Sequence, residues 1–166
     1  MQQLLFVVTL LAALGVAILA GSFFSFSAFL MRALQGLSAE RGIVAMQAIT
    51  AAIRKPLFLT VFFGTTALCA VLAGIALLRW GAPGSCYLLA GTLLVLAGPF
   101  AITMMQNVPL NTQLAAATPD TKDGRDFWKR FQASWGMWNH LRTATALLAC
   151  VLLILALAEM GNPFGG

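Results

Sequence analysis

LLFVVTLLAALGVAILAGSFFSFSAFLM, residues 4–31, runs without a single charged side chain. A helix crosses the hydrocarbon core of a bilayer with about 20 apolar residues, so this stretch is long enough with turns to spare. It is not read as a secretory signal, because no basic segment precedes it and it far exceeds the ~7–15 residues of a signal's apolar region. Three further apolar stretches follow, at about 56–79, 87–106 and 142–159. The last is short, so its helix is expected to begin upstream and to carry Arg142 at the membrane interface. The expected fold is all-α: a polytopic four-transmembrane-helix bundle with helical extensions beyond the membrane, forming one integral domain over 1–166.

Composition agrees. Of 166 residues, 60% are hydrophobic and 9% charged, with mean hydropathy +0.89. Soluble domains carry about 25% charged residues, and a chain this short cannot hide so much apolar surface in one aqueous core. The net charge of +5 does not indicate nucleic-acid binding, because the basic residues form no patch interleaved with aromatics. Cys69, Cys86 and Cys150 have no metal-ligand spacing and define no disulfide framework.

The basic residues are placed asymmetrically. Arg32, Arg41, Arg54 and Lys55 fall between spans one and two, and Lys122, Arg125, Lys129, Arg130 and Arg142 between three and four. The opposite face holds only Arg79. Cytoplasmic loops carry the excess of Lys and Arg, so both long segments are expected inside and both termini outside, in the inner (cytoplasmic) membrane.

Local signals refine these segments. Ser38 is expected to cap a helix that passes through Ile43, Met46, Gln47 and Ile53 into span two, bent at Pro56. Residues 118–124 (TPDTKDG) read as a solvated turn, with Asp126 near the start of the last helix. Gly64 and Gly74 in span two suggest close helix packing. At the end of span three, Gln106-Asn107-Val108-Pro109-Leu110-Asn111 has a proline that pushes Val108 towards extended geometry. Two readings remain open there: a capped helix end, or freed backbone and Asn amides lining a pocket.

Trp128, Gln132, Trp135, Asn139 and Arg142 recur at four, three, four and three residues, which puts all five on one helical face. An interfacial aromatic belt with a snorkelling arginine suits Trp128 and Trp138. It suits Asn139 poorly, since an amide gains little by facing acyl chains. Asn139 and Arg142 therefore mark a candidate polar pocket. His140, the only histidine, lies about 100° round the helix from Asn139. It is either a structural residue, a base, or a haem ligand paired with Met137, Met46 or Met105. With no second histidine and no nearby carboxylate, a protein-only metal centre is not expected. In span one, Ser22, Ser25 and Ser27 accompany Phe23, Phe24, Phe26 and Phe29. Serines there bond their own backbone or a neighbouring helix, and the phenylalanines are suited to line an aromatic cavity.

The order of these features resembles the anthrone oxygenase family of small four-helix membrane proteins. The carrying residues are the Phe/Ser-rich first span, Met46-Gln47 and Ile49 before Arg54-Lys55-Pro56, Asn107-Val108-Pro109-Leu110-Asn111, and Trp135, Trp138, Asn139 and Arg142. Thr50 departs from the pattern, where an Asn is expected after the Met-Gln pair. The resemblance implies oxidation of an anthrone methylene to a quinone carbonyl with O₂ as co-substrate and no cofactor. It implies that Arg142, Asn139, Asn107 and Asn111 hold oxygens, that Trp135 stacks on the ring, and that His140 is the side-chain base. Trp138 and Gln47 complete the expected substrate-binding set. Expected partners are the lipid bilayer, a small hydrophobic aromatic molecule and, in a homo-oligomer, further copies of the chain. The alternative is a non-catalytic membrane protein that binds haem b or another lipophilic ligand, or an accessory subunit.

Overall fold

The structure is a computed structural model that describes residues 2–161. Five helices account for it: α1 (Gln2–Gln35), α2 (Ala39–Ile53), α3 (Pro56–Leu78), α4 (Ser85–Ala116) and α5 (Lys122–Met160). Among the described residues there is no strand. α1, α3, α4 and α5 are each long and apolar enough to cross a membrane. They form a ring in which α5 packs on α1 and α4, and α3 closes the other side. Leucines, valines and isoleucines such as Leu14, Ile18, Val151 and Ile154 remain about half exposed on the outside. In water that surface would be costly; facing acyl chains it is the expected solution.

Small residues set how closely the helices approach. A Cβ on Gly98 would overlap the Thr145 side chain, and one on Gly91 would press on the Ala149 carbonyl, so α4 and α5 meet backbone to backbone. Gly15 gives α1 the same access to Thr65 of α3. Such close approach is how helices associate in lipid, where the hydrophobic effect between them is absent. Gly64 and Gly74 do not serve this purpose within the chain, since a Cβ on either meets nothing within 4 Å. Both lie exposed on the outer face of α3.

Two local expectations change. α2 does not bend into α3 at Pro56; it ends at Ile53, Lys55 is extended with ψ 155°, and Pro56 opens the new helix. The pyrrolidine ring excludes helical geometry from the preceding residue but suits the first helical position. Conversely, Pro109 ends nothing. Val108 is helical at φ −64°, ψ −47°, and α4 continues to Ala116. Residues Leu96–Asn107 adopt a π-helical register around the imino acid Pro99, and the Val108 N–H donates to the carbonyl of Thr103, five residues back. A wider turn of this kind absorbs prolines that a regular helix rejects. α1 carries a shorter π segment at Phe26–Leu30.

Ser38 caps α2 as expected, its Oγ accepting from the Arg41 N–H at 3.4 Å. α5 starts earlier than expected. Thr121 is its cap, accepting from the Gly124 N–H at 3.0 Å, so Asp123 rather than Asp126 lies in the first turn. The 39 residues of α5 at about 1.5 Å each are roughly twice a ~30 Å hydrocarbon core. Its first turns therefore extend beyond the bilayer. There Trp128 packs on Gly42 of α2 and stacks on Phe131 at 5.6 Å. Trp128 is thus a core residue, 3% exposed, and not part of an interfacial belt.

Replacing Gly98 by Val is expected to destabilise the bundle by about 1–3 kcal/mol through overpacking, lowering the thermal midpoint in detergent. Gly64→Ala is expected to be neutral by the same measurement.

Candidate functional site

The polar residues of α5 meet α1 and α4 where both carry π segments. Arg142 is 5% exposed. Its Nη1 donates to Thr103 Oγ1 at 3.0 Å and its Nη2 to Asn139 Oδ1 at 2.7 Å. The guanidinium carbon lies 4.4 Å from the centre of the Phe23 ring and 5.4 Å from that of Trp135. Cation–π contacts of this kind are worth about 0.5–2 kcal/mol. No carboxylate pairs with Arg142 among the described residues, and its buried Nε has no partner.

Asn139 is held from both ends. While its Oδ1 accepts from Arg142, its Nδ2 donates to the Phe23 carbonyl at 2.9 Å and to Ser27 Oγ at 2.8 Å. The Phe23 carbonyl thus accepts from a neighbouring helix just ahead of the π segment at Phe26–Leu30. Ser27 is the hub of the α1–α5 seam, also 2.9 Å from His140 Nδ1 and 3.1 Å from Thr143 Oγ1. Thr143 in turn donates to the Asn139 carbonyl.

Beside Arg142 lies a cavity of about 440 Å³, within the ~300–1,000 Å³ range of small-molecule sites. Phe23, Phe26, Phe58 and Phe62 wall it, Met46 and Thr50 of α2 cover it, Trp135 and Thr103 stand beside the guanidinium, and Asn111 joins the lining through Trp135. Phe26 meets Trp135 edge to face at 5.1 Å. The Trp135 indole donates to Asn111 Oδ1 at 2.9 Å, which fixes the ring and leaves the Asn111 amide NH₂ as a donor. The cavity is thus lined mainly by apolar and aromatic side chains, with two guanidinium groups on its lining, the buried Arg142 and the exposed Arg54. None of its lining residues is Asp, Glu, His or Lys.

The expected site residues separate into groups. Arg142, Trp135 and Asn111 line the cavity, and Asn139 braces Arg142 from behind. His140 does not line it. The ring is exposed on the other side of α5, in a groove of about 480 Å³ with Arg32, Gln35, Gln132 and Met137. Asn139 also borders that groove, but only Asn139 reaches Arg142. Met137 shares that groove, but Met46 belongs to the cavity and Met105 is 70% exposed. Trp138 lines neither space. Gln47 is turned to structure, its Nε2 donating to the carbonyls of Leu114 and Ala117 at 2.8 and 3.0 Å, where α4 ends. Asn107 is 1% exposed, with both amide atoms unpartnered. Among the described residues no three His, Cys, Asp or Glu side chains gather as a metal-ligand set.

Sequence reasoning missed Thr103 and the role of Ser27. Thr103, Asn107 and Asn111 are spaced by four on α4, a signal that could have revealed Thr103. The Phe23 carbonyl and Ser27 become visible only when α1 is docked on α5.

The profile of the family described as Anthrone oxygenase matches residues 58–152, more than half of the chain. The chain belongs to the anthrone oxygenase family. The matched region contains Thr103, Asn107, Asn111, Trp135, Asn139 and Arg142, while the α1 and α2 walls of the cavity precede it. No curated protein and no solved structure matches the chain.

Asn139→Ala would leave Arg142, Ser27 and the Phe23 carbonyl each short of a buried partner. The expected cost is about 1–3 kcal/mol in unfolding free energy. Asn107→Leu removes an amide that bonds nothing in the protein, so its expected effect on the same measurement is neutral or stabilising.

Proposed function

We propose that this member of the anthrone oxygenase family oxidises a flat, hydrophobic aromatic substrate of the anthrone type with O₂, in the cavity beside Arg142. The observation that supports this most directly is the buried guanidinium with no carboxylate partner and donors to spare. A permanently charged group left without a counter-charge inside a bundle costs several kcal/mol. It suits a site in which negative charge develops during reaction.

The chemistry follows from the substrate. Loss of a methylene proton converts an anthrone into an aromatic enolate, whose charge rests on the ring-carbonyl oxygen. Arg142 would hold that oxygen, assisted by the Asn111 amide, and so make the C–H more acidic. With no basic side chain on the wall, water or hydroxide at the mouth would take the proton. The carbanion passes one electron to O₂, and the resulting radicals combine into a C–O bond. The hydroperoxide then loses water as its O–O bond breaks, leaving a carbonyl. Four electrons reach O₂, one oxygen entering the quinone and the other leaving as water. Trp135, Phe23 and Phe26 would hold the rings.

His140 is a positioning residue in this reading, reaching Arg142 only through Ser27 and Asn139. Arg142→Gln is expected to reduce turnover of an anthrone by about 10²–10³, the size of losing an oxyanion donor. His140→Gln is expected to cost less than about tenfold. A loss with His140→Gln as large as with Arg142→Gln would make histidine the base and overturn the assignment.

We also propose that the end bearing nine of the ten basic residues faces the cytoplasm, in the inner membrane. Cys86 reports on this, as an exposed thiol at the Arg79 end, while Cys69 is buried and Cys150 half-buried. A membrane-impermeant maleimide is expected to label Cys86 in intact cells. Labelling only after permeabilisation would reverse the topology.

A further inference from the structure

The cavity contains a second cation. Arg54 lines it, but unlike Arg142 it is exposed. Its position follows from the backbone break between α2 and α3. α2 ends at Ile53, Arg54 turns with φ −75° and ψ 3°, and Lys55 is extended ahead of Pro56. That corner sets Arg54 at the rim, beside the first turns of α3. The other lining residues that are exposed, Phe63, Val108 and Thr112, flank the same turns on α3 and α4. α1 and α3 touch farther down, where Gly15 admits Thr65, and part towards this end around Ser22 and Ser25. Both serines donate to carbonyls of their own helix, Ile18 and Gly21, at 2.9 Å, so this wall asks for no polar partner. The mouth thus sets one exposed guanidinium beside Phe63, Val108 and Thr112, and a second guanidinium lies buried against Phe23, Trp135 and Thr103.

We propose that Arg54 is a specificity residue, and that the ligand is an amphiphile with oxygens at two ends. Its ring-carbonyl oxygen reaches Arg142, its flat body lies among the phenylalanines, and an acidic substituent, a carboxylate or phenolate, pairs with Arg54 at the rim. This rests on the function proposed above and adds the substrate class: anionic, membrane-partitioning aromatics over neutral ones. A neutral ring would leave Arg54 solvated and gain nothing from it. An acidic one gains a charge-assisted contact, weakened by salt because the rim is wet.

The test uses two unreactive product-like probes, anthraquinone and anthraquinone-2-carboxylate, with the full chain in zwitterionic nanodiscs and binding read by tryptophan quenching. Affinities are referred to the probe concentration in the lipid. The carboxylate is expected to bind about tenfold tighter, equivalent to about 1.4 kcal/mol, with the advantage shrinking as salt rises. Arg54→Gln is expected to bring the two probes to parity, and Arg54→Lys to retain most of the preference. Equal binding by the wild type, or a preference untouched in Arg54→Gln, overturns the role of Arg54 while leaving the cavity intact. Failure of both probes to bind overturns the aromatic site itself and this inference with it.

Discussion

Arg142 carries its charge into the bundle without a carboxylate, and the surrounding structure is arranged around that fact. A charged residue at the middle of a membrane helix costs about 2.5–3.5 kcal/mol on insertion scales. The chain meets this with contacts of comparable size: hydrogen bonds to Thr103 and Asn139 and the faces of Phe23 and Trp135. Each contact demands something of another helix. Thr103 must come from α4, Phe23 from α1, and both helices run in a π register beside it. Asn139 can hold the guanidinium only because its other end is fixed by the Phe23 carbonyl and Ser27. The seam between α1 and α5 is therefore built by the same interaction that fixes the cation.

The close packing of glycines serves this geometry. Gly91 and Gly98 bring α4 against α5, which lets a short side chain such as Thr103 reach a guanidinium across the seam. Gly15 sets the contact of α1 with α3 at one end, and the helices part at the other to leave an aromatic cavity. Tight packing in one half and an opening in the other is what a bundle needs in order to hold a ligand and still fold.

Much of this was legible in the sequence because it depends on local physics. Four apolar stretches, the Ser38 cap and the α5 stripe of Trp135, Asn139 and Arg142 follow from length, hydropathy and helical spacing. What was not legible depends on register and docking. The π segment lets α4 pass Pro109, and no periodicity rule for regular helices anticipates it. Trp128 looked interfacial because a tryptophan near a membrane end has that prior; only the placement of Gly42 against it shows a core. His140 and its neighbour Asn139 both border the outer groove, yet only Asn139 also reaches Arg142. Helical spacing indicated the end of the bundle where these polar residues gather, while their division between a cavity and a groove required the fold.

On the function proposed above, that division bears on how a small membrane protein could run oxidation chemistry with so few polar groups. A strong base beside the ring would itself need partners in a medium that supplies none. A fixed cation would avoid this, by stabilising the product of proton loss instead of accepting the proton. The requirement then shifts from a catalytic base to a rigid, dry mounting for one guanidinium. That mounting takes side chains from three helices and the Phe23 backbone carbonyl of α1.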